Sequence, residues 1–187
     1  MNRQTDEWTM QTSFQWISYL LVYPDGDWTQ TVREVKDVLS ISHPMANGIQ
    51  SFLEEMDAYT PEQRWDHYVH TFDFGKKTNL YLTFADYGEE RERGPALLEL
   101  KEQYAMAGFE LKAGEMPDYL PVVLEFCAHT NAETAGRILF RHAARIAQLQ
   151  ESLSQIESPY AHLLRAVRQG IGMMQPKSNL CDEEAGT

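Results

Sequence analysis

The sequence has few cysteines and lacks the short motifs of several enzyme classes. Cys127 and Cys181 are the only two thiols among 187 residues. They imply no disulfide framework of the kind found in small secreted domains, which indicates a reducing compartment. The chain contains no Cys-x-x-Cys pair, no Gly-x-Ser-x-Gly turn and no complete glycine-rich phosphate loop. We therefore expect a protein that is not an enzyme.

Basic residues and long apolar runs are also scarce. The chain carries 16 lysines and arginines against 28 acidic residues, a net charge of −12. This acidic excess disfavours binding to nucleic acid and favours a cationic partner. The apolar runs fall far short of the ~20 residues that a membrane-spanning helix needs, and the polar first residues do not resemble a secretion signal. We expect a cytoplasmic protein, without membrane insertion, that is a monomer or a weak homodimer.

Apolar residues recur at spacings of three and four along most of the chain, as in amphipathic helices. The aromatic segment 80–85 has no partner strand elsewhere, so we interpret it as a short helix. The predicted helices are 6–23, 28–39, 45–56, 61–72, 80–85, 89–107, 118–129, 131–154 and 160–171. The predicted fold is an all-α, single-domain helical bundle over residues 1–175, followed by a disordered acidic tail at 176–187.

The predicted helix ends depend on a few capping residues. Asp27 and Asp118 each precede an apolar segment, where a carboxylate can accept hydrogen bonds from the first N–H groups of a helix. Thr60 and Gln63 have the spacing of a capping box. Gly108 is typical of the residue that follows a helix C-terminus.

An acidic stretch with interleaved aromatic residues lies in the middle of the chain. Residues 86–118 contain nine acidic and four basic side chains. Carboxylates pair with the guanidinium fork of arginine and aromatic rings pack on its plane, so this mixture suits a peptide that carries arginines and bulky apolar residues. The alternative is a solvated loop surface with a few buried tyrosines, in which Asp118 is a structural cap.

Two further clusters allow both a functional and a structural interpretation. His67 and His70 lie three residues apart, close to Asp73, and could begin the metal site of a small helical hydrolase, but histidines at the core edge or in solvent explain the same spacing. Three arginines recur every four residues and form either an anion site or ion pairs with acidic neighbours. They are Arg137, Arg141 and Arg145.

The most specific motif is Pro-Asp-x-Leu-Pro at 117–121, with Glu115 before it. The resemblance described below covers residues 14–170. Its other matching positions are Tyr68 and the segments 20–24, 72–73, 80–84, 88–94 and 115–126. Together they resemble the NarJ-type chaperones, which assemble the molybdenum cofactor into respiratory nitrate reductase and belong to the TorD-like redox-enzyme maturation chaperones. Many members of that group carry histidine where this chain has Tyr119.

The resemblance implies a TorD-like all-α fold and a chaperone without a cofactor of its own. It implies that the chain binds the N-terminal segment of the immature catalytic (alpha) subunit of nitrate reductase and holds it competent for molybdenum cofactor insertion and complex assembly. The alternatives are a chaperone for a dimethyl sulfoxide or trimethylamine oxide reductase, and the helical hydrolase. The expected peptide-binding residues are Tyr23, Asp73, Tyr81, Asp86, Tyr87, Glu90, Glu115, Asp118 and Tyr119.

Overall fold

The computed structural model describes residues 8–39, 42–75, 77–84 and 91–174, and within these ranges the chain forms nine α-helices. They are α1 (Met10–Leu20), α2 (Trp28–Val38), α3 (Ala46–Asp57), α4 (Pro61–Tyr68), α5 (Arg93–Met106), α6 (Leu120–His129), α7 (Ala132–Arg141), α8 (Ala143–Gln155) and α9 (Tyr160–Met174). A π-helical turn, Val69–Asp73, continues α4. The predicted all-α bundle is confirmed, and the predicted tail at 176–187 lies outside the described residues.

The body of the bundle is built around α9, which packs against α1, α3, α7 and α8, while α1 packs along α6. Its apolar positions at spacings of three and four, including Leu163, Leu164 and Val167, are fully buried. Each such side chain stabilises the fold by ~1.5–3 kcal/mol relative to exposure. The backbones of α3 and α9 approach so closely at Gly48 that a Cβ atom there would lie 2.6 Å from the carbonyl oxygen of His162.

The helix ends follow the capping signals in two of four cases, and the fourth, Asp118, is described with the candidate site. At the start of α4 the N–H of Gln63 donates to Thr60 Oγ1 (3.3 Å) and the N–H of Thr60 donates to Gln63 Oε1 (2.8 Å), so the capping box is confirmed. Gly108 follows α5 with φ +75°, a conformation that favours glycine. Asp27 precedes α2 as predicted, but its side chain makes no capping hydrogen bond.

Two predicted helices were wrong. The segment 131–154 is two helices, because the backbone turns at His142 (φ −101°, ψ 7°) between α7 and α8. This turn contains neither glycine nor proline, and the apolar spacing continues through it, so the sequence does not indicate that the helix breaks here. Of the predicted helix 80–85, residues 80–83 form an antiparallel bridge and a turn, because their backbone groups pair with the residues that lead into α6. Phe84 is helical, and residue 85 lies outside the described residues.

The helix α5 lies at the edge of the bundle and buries little of its surface. Only Leu100 and Tyr104 are fully buried on it, whereas Leu98 and Met106 are exposed. The Tyr104 hydroxyl donates a hydrogen bond of 2.7 Å to the carbonyl oxygen of Pro117. Within the described ranges, no helix of the bundle combines the length and apolarity that a bilayer crossing requires.

Candidate peptide-binding site

Two connections of the chain meet at a short antiparallel bridge between Tyr81 and Tyr119. The N–H of Leu82 donates to the carbonyl oxygen of Asp118 (2.9 Å), and the N–H of Leu120 donates to that of Leu80 (2.8 Å). These bonds place the segment before the acidic stretch directly against the segment that leads into α6. Sequence segments almost 40 positions apart thereby contribute to one surface.

Four tyrosines form a continuous row across this surface, which we call the tyrosine row: Tyr23, Tyr68, Tyr119 and Tyr81. The Tyr23 ring meets the Tyr68 ring edge-on, with centroids 5.4 Å apart. The hydroxyls of Tyr68 and Tyr119 are 3.1 Å apart, and the rings of Tyr119 and Tyr81 are 5.3 Å apart. Tyr23 is 44% exposed and Tyr81 is 37% exposed, so the two ends of the row are open to a partner.

The middle of the tyrosine row is anchored in the core. Tyr68 is buried, packs edge-on against Phe72 and donates a hydrogen bond to the carbonyl oxygen of Leu21 at 3.2 Å. Burial raises the pKa of Tyr68 and of Tyr119, and the charge of the nearby Asp73 raises both further. Both phenols therefore stay neutral at physiological pH. The row offers rings and hydroxyls within the electrostatic reach of Asp73, whose side chain is exposed.

Asp118 is fully buried beneath the end of the row, where it binds residues of the chain itself. Its Oδ2 accepts hydrogen bonds from the N–H and the hydroxyl of Thr83, at 3.1 and 2.6 Å. Arg93 Nη2 donates to both carboxylate oxygens, at 3.2 and 3.0 Å. The prediction that Asp118 is an N-cap was wrong: Tyr119 precedes α6 without a side-chain cap. The carboxylate turns to Thr83 and Arg93 instead.

One described candidate, Glu115, lies apart from the tyrosine row. Glu115 accepts a hydrogen bond from the N–H of Lys112 at 2.9 Å and lines a cleft of about 590 Å³ with Tyr104 and Phe109 at the C-terminal end of α5. The other three acidic and aromatic candidates, Asp86, Tyr87 and Glu90, lie outside the described residues. The structure thus brings together Tyr23, Asp73, Tyr81, Asp118 and Tyr119.

Sequence reasoning left Tyr68, Thr83 and Arg93 out of the candidate site. Tyr68 belonged to a motif of the resemblance, and its place in a helix with apolar spacing indicated a core residue, which it also is. Arg93 lay in a mixed charged run at the start of α5. Its partner Asp118 is 25 residues away in sequence, and no local pattern indicates a pair at that separation.

The histidines of α4 and its π-turn have structural partners. His67 Nε2 lies 2.9 Å from Ser158 Oγ, and its ring stacks on Tyr160, whereas His70 pairs with Asp66 on the exposed face of α4. No group of three or more metal-ligating side chains converges anywhere in the described ranges. The geometry therefore follows the structural interpretation of these histidines.

The arginine stripe also follows the structural interpretation. Arg137 pairs with Glu133 one turn away on α7, and Arg141 pairs with Glu99 of α5. Arg145 is buried and donates to the backbone carbonyls of 77 and 79. The stripe thus joins α7 and α8 to neighbouring segments instead of forming a shared anion site.

Comparison with known proteins places the chain among nitrate reductase assembly factors. The family model described as nitrate reductase delta subunit matches residues 40–166. A Bacillus subtilis protein named as a probable nitrate reductase molybdenum cofactor assembly chaperone, NarJ, is 38% identical over 88% of this chain and 92% of that protein. The Escherichia coli K12 chaperone NarJ is 34% identical, over 79% of this chain and 64% of its own length.

The solved structures give the fold. A redox enzyme maturation protein from Archaeoglobus fulgidus superimposes with a TM-score of 0.66 over 92% of this chain and 99% of that chain, at 18% sequence identity. The relatives are named as assembly chaperones and not as enzymes, which confirms the resemblance to the NarJ type. The chain belongs to the nitrate reductase delta subunit family.

Proposed function

We propose that the chain binds the N-terminal segment of the immature catalytic subunit of nitrate reductase and holds that subunit open for molybdenum cofactor insertion. The observation that carries this proposal is the tyrosine row, which ends in the exposed rings of Tyr23 and Tyr81 and has the Asp73 carboxylate within electrostatic reach. The names of the relatives support nitrate reductase as the client, in preference to another molybdoenzyme.

The tyrosine row suits an extended peptide with arginines and apolar residues. Tyrosine rings provide a large contact area with only two rotatable side-chain bonds, which lowers the entropy cost of binding. Their hydroxyls accept and donate hydrogen bonds to a peptide backbone. A guanidinium group stacks on such a ring while it pairs with a carboxylate such as Asp73. The net charge of −12 adds a longer-range attraction for a cationic segment.

The work of such a chaperone is differential binding. A partner shifts an equilibrium only by the difference between its affinities for the two states. A chaperone that binds the N-terminal segment only before it is built into the finished enzyme favours the open, immature subunit. Release follows when insertion of the cofactor closes the subunit and makes its N-terminal segment inaccessible to the chaperone.

The test is a titration with a synthetic peptide of the N-terminal sequence of the host's nitrate reductase catalytic subunit. We expect Tyr23→Ala to weaken binding by ~1–2 kcal/mol, about five- to thirtyfold, because the variant loses an exposed ring at the end of the row. Raising the salt from about 0.02 M to about 0.5 M should also weaken binding, because ion pairs on an exposed surface are screened.

The matched control is Phe140→Ala, which removes a ring of similar exposure, 38%, on α7. This variant should bind the peptide as the parent does. Equal losses for Tyr23→Ala and Phe140→Ala would contradict the tyrosine row as the docking surface. Binding that does not respond to salt would remove the electrostatic contribution and leave an apolar surface.

A further inference from the structure

The side chain of Arg93 sits in a guanidinium pocket formed by the chain itself. Its Nη2 pairs with the buried carboxylate of Asp118, and its Nε donates a 3.0 Å hydrogen bond to Thr83 Oγ1. The guanidinium carbon lies 5.7 Å from the ring centroid of Tyr81 and 5.6 Å from that of Phe84. We call the carboxylate, the hydroxyl and the two rings the Arg93 pocket.

The polar groups of the Arg93 pocket need a cation in it to balance the charge of Asp118. Asp118 is 0% exposed with Arg93 in place, so its carboxylate relies on the guanidinium and on Thr83 for its polar partners. Thr83 donates its hydroxyl proton to Asp118 and accepts from Arg93, so the three groups form one connected network. A buried carboxylate without a partner is unfavourable. A cation with the planar fork of guanidinium fits the pocket better than a point charge does.

The contacts of Arg93 in the pocket also attach α5 to the rest of the helical bundle. Arg93 is the first residue of α5, and this helix buries only two side chains. A second ion pair, between Glu99 and Arg141, attaches the middle of α5 to α7. The side chains of this second pair are about half exposed, whereas that of Arg93 is 15% exposed. Of these two ion pairs, the one in the Arg93 pocket is therefore the better shielded from solvent, and it holds the N-terminal end of α5.

We infer that Arg93 is an exchangeable internal ligand, and that an arginine side chain of an incoming peptide replaces it in the pocket and releases the N-terminal end of α5. The exchange conserves charge: one guanidinium leaves Asp118 as another arrives. Tyr81 belongs both to the tyrosine row and to the pocket, so a peptide on the row reaches the pocket directly. This inference rests on the proposed function for the identity of the incoming group, whereas the pocket itself can be tested without a client.

The first experiment is chemical rescue of the vacated pocket. Arg93→Ala should lower the melting temperature, because the buried Asp118 loses its cationic partner and keeps only the hydrogen bonds from Thr83. Ethylguanidinium at millimolar concentration should raise the melting temperature of Arg93→Ala by about 2 °C or more relative to its effect on the parent, because a ligand that binds only the folded state stabilises it. Propylammonium, which has the same charge without the planar fork, should give a smaller rise.

The matched control for the rescue is Arg141→Ala. It breaks the other ion pair of α5, but its partner Glu99 is 45% exposed and needs no replacement cation. Ethylguanidinium should affect Arg141→Ala and the parent equally. If Arg93→Ala does not fold, Arg93→Gln is the second variant: its amide nitrogen reaches only as far as the Arg93 Nε, which leaves the Asp118 side of the pocket vacant, so it should show the same preference for ethylguanidinium. Equal responses of the Arg93 and Arg141 variants would overturn the pocket.

The second experiment tests exchange with the nitrate reductase N-terminal peptide. Arg93→Gln should bind this peptide about three- to tenfold more tightly than the parent, because the variant removes an internal competitor. Arg141→Gln should bind it as the parent does. Unchanged or weaker binding by Arg93→Gln would overturn the exchange. If the parent does not bind the peptide at all, the proposed function fails, while a positive rescue would still establish the pocket.

Discussion

The helices α9 and α5 are held to the protein in opposite ways. α9 buries a continuous apolar face against four helices, with most of its buried side chains at zero exposure. α5 buries Leu100 and Tyr104 and is otherwise attached through polar contacts, namely Arg93 with Asp118 and Glu99 with Arg141. A bound peptide cannot replace the apolar packing of a whole helix face. One partner of an ion pair, in contrast, can be replaced by another group of the same charge and shape. The difference separates a permanent scaffold from an attachment that a ligand can replace.

Substitution of Gly48 tests the scaffold, by which we mean α9 and the four helices packed on it, and should destabilise the whole fold. A Cβ at position 48 would lie 2.6 Å from the carbonyl oxygen of His162 and 2.9 Å from Cβ of Ala166. Because the nearest atom is backbone, Gly48→Ala must push α3 away from α9, at a cost of ~1–3 kcal/mol. Urea denaturation should show this loss in the free energy of unfolding.

Gly172→Ala is the control for this substitution, because it lies within α9 with open space around the new Cβ. Alanine has the higher helix propensity, so this variant should be unchanged or more stable by up to ~1 kcal/mol. Similar stability of the two variants would mean that α3 moves freely against α9. The contrast between a tightly packed α9 and a polar-attached α5 would then not hold.

Substitution of Asp118 tests the polar attachment and should act locally. Asp118→Asn keeps the shape of the side chain but removes the charge that binds Arg93, a loss of ~1–3 kcal/mol for a charge-assisted hydrogen bond in a buried site. Hydrogen exchange of the α5 amides should therefore accelerate by about five- to 150-fold, while exchange in α9 changes less. Glu99→Gln, at the exposed pair, should have a smaller effect of ~0–1 kcal/mol. Equal acceleration in both helices would show that Asp118 supports the whole bundle.

The same contrast explains which features could be predicted from the sequence. The helices of the body were predictable because apolar spacing and the Thr60 capping box are local signals. Apolar spacing could not locate the break at His142, since the same pattern continues through it. The bridge between Tyr81 and Tyr119 depends on long-range backbone pairing that no local pattern encodes.

The candidate site was predictable in composition and less so in geometry. The acidic and aromatic residues in and beside the central stretch indicated Tyr81, Asp118 and Tyr119, which the structure brings together. The sequence could not show that Asp118 is buried, because its position after Pro117 also suits a helix cap. It could not show that Arg93 is the partner of Asp118, because several arginines and lysines lie at similar separations. Pairings of this kind depend on tertiary contacts that residue spacing does not specify.

Acid should weaken the scaffold through His67, with the smallest of the three effects. Its ring lies between Tyr59 and Tyr160 at the start of α9, and burial lowers its pKa below the ordinary value of 6.5, against a raising contribution from Asp66. A lowered pKa means that the folded state binds the proton less readily than the unfolded state. Above about pH 7 both states are neutral and the effect is absent. As the pH falls below about 6.5, the unfolded state gains protons first and stability declines.

The measurement is urea denaturation of the parent and of His67→Gln at about pH 7.5 and about pH 5.5. Glutamine can keep the hydrogen bond to Ser158 but does not titrate, so His67→Gln should lose less stability on acidification than the parent. His129→Gln, at the exposed end of α6, is the control and should behave as the parent does. Hydrogen exchange would place the acid effect in α9 and not in α5, because His67 contacts the scaffold. If His67→Gln and the parent lose stability equally between the two pH values, the acid sensitivity comes from other groups.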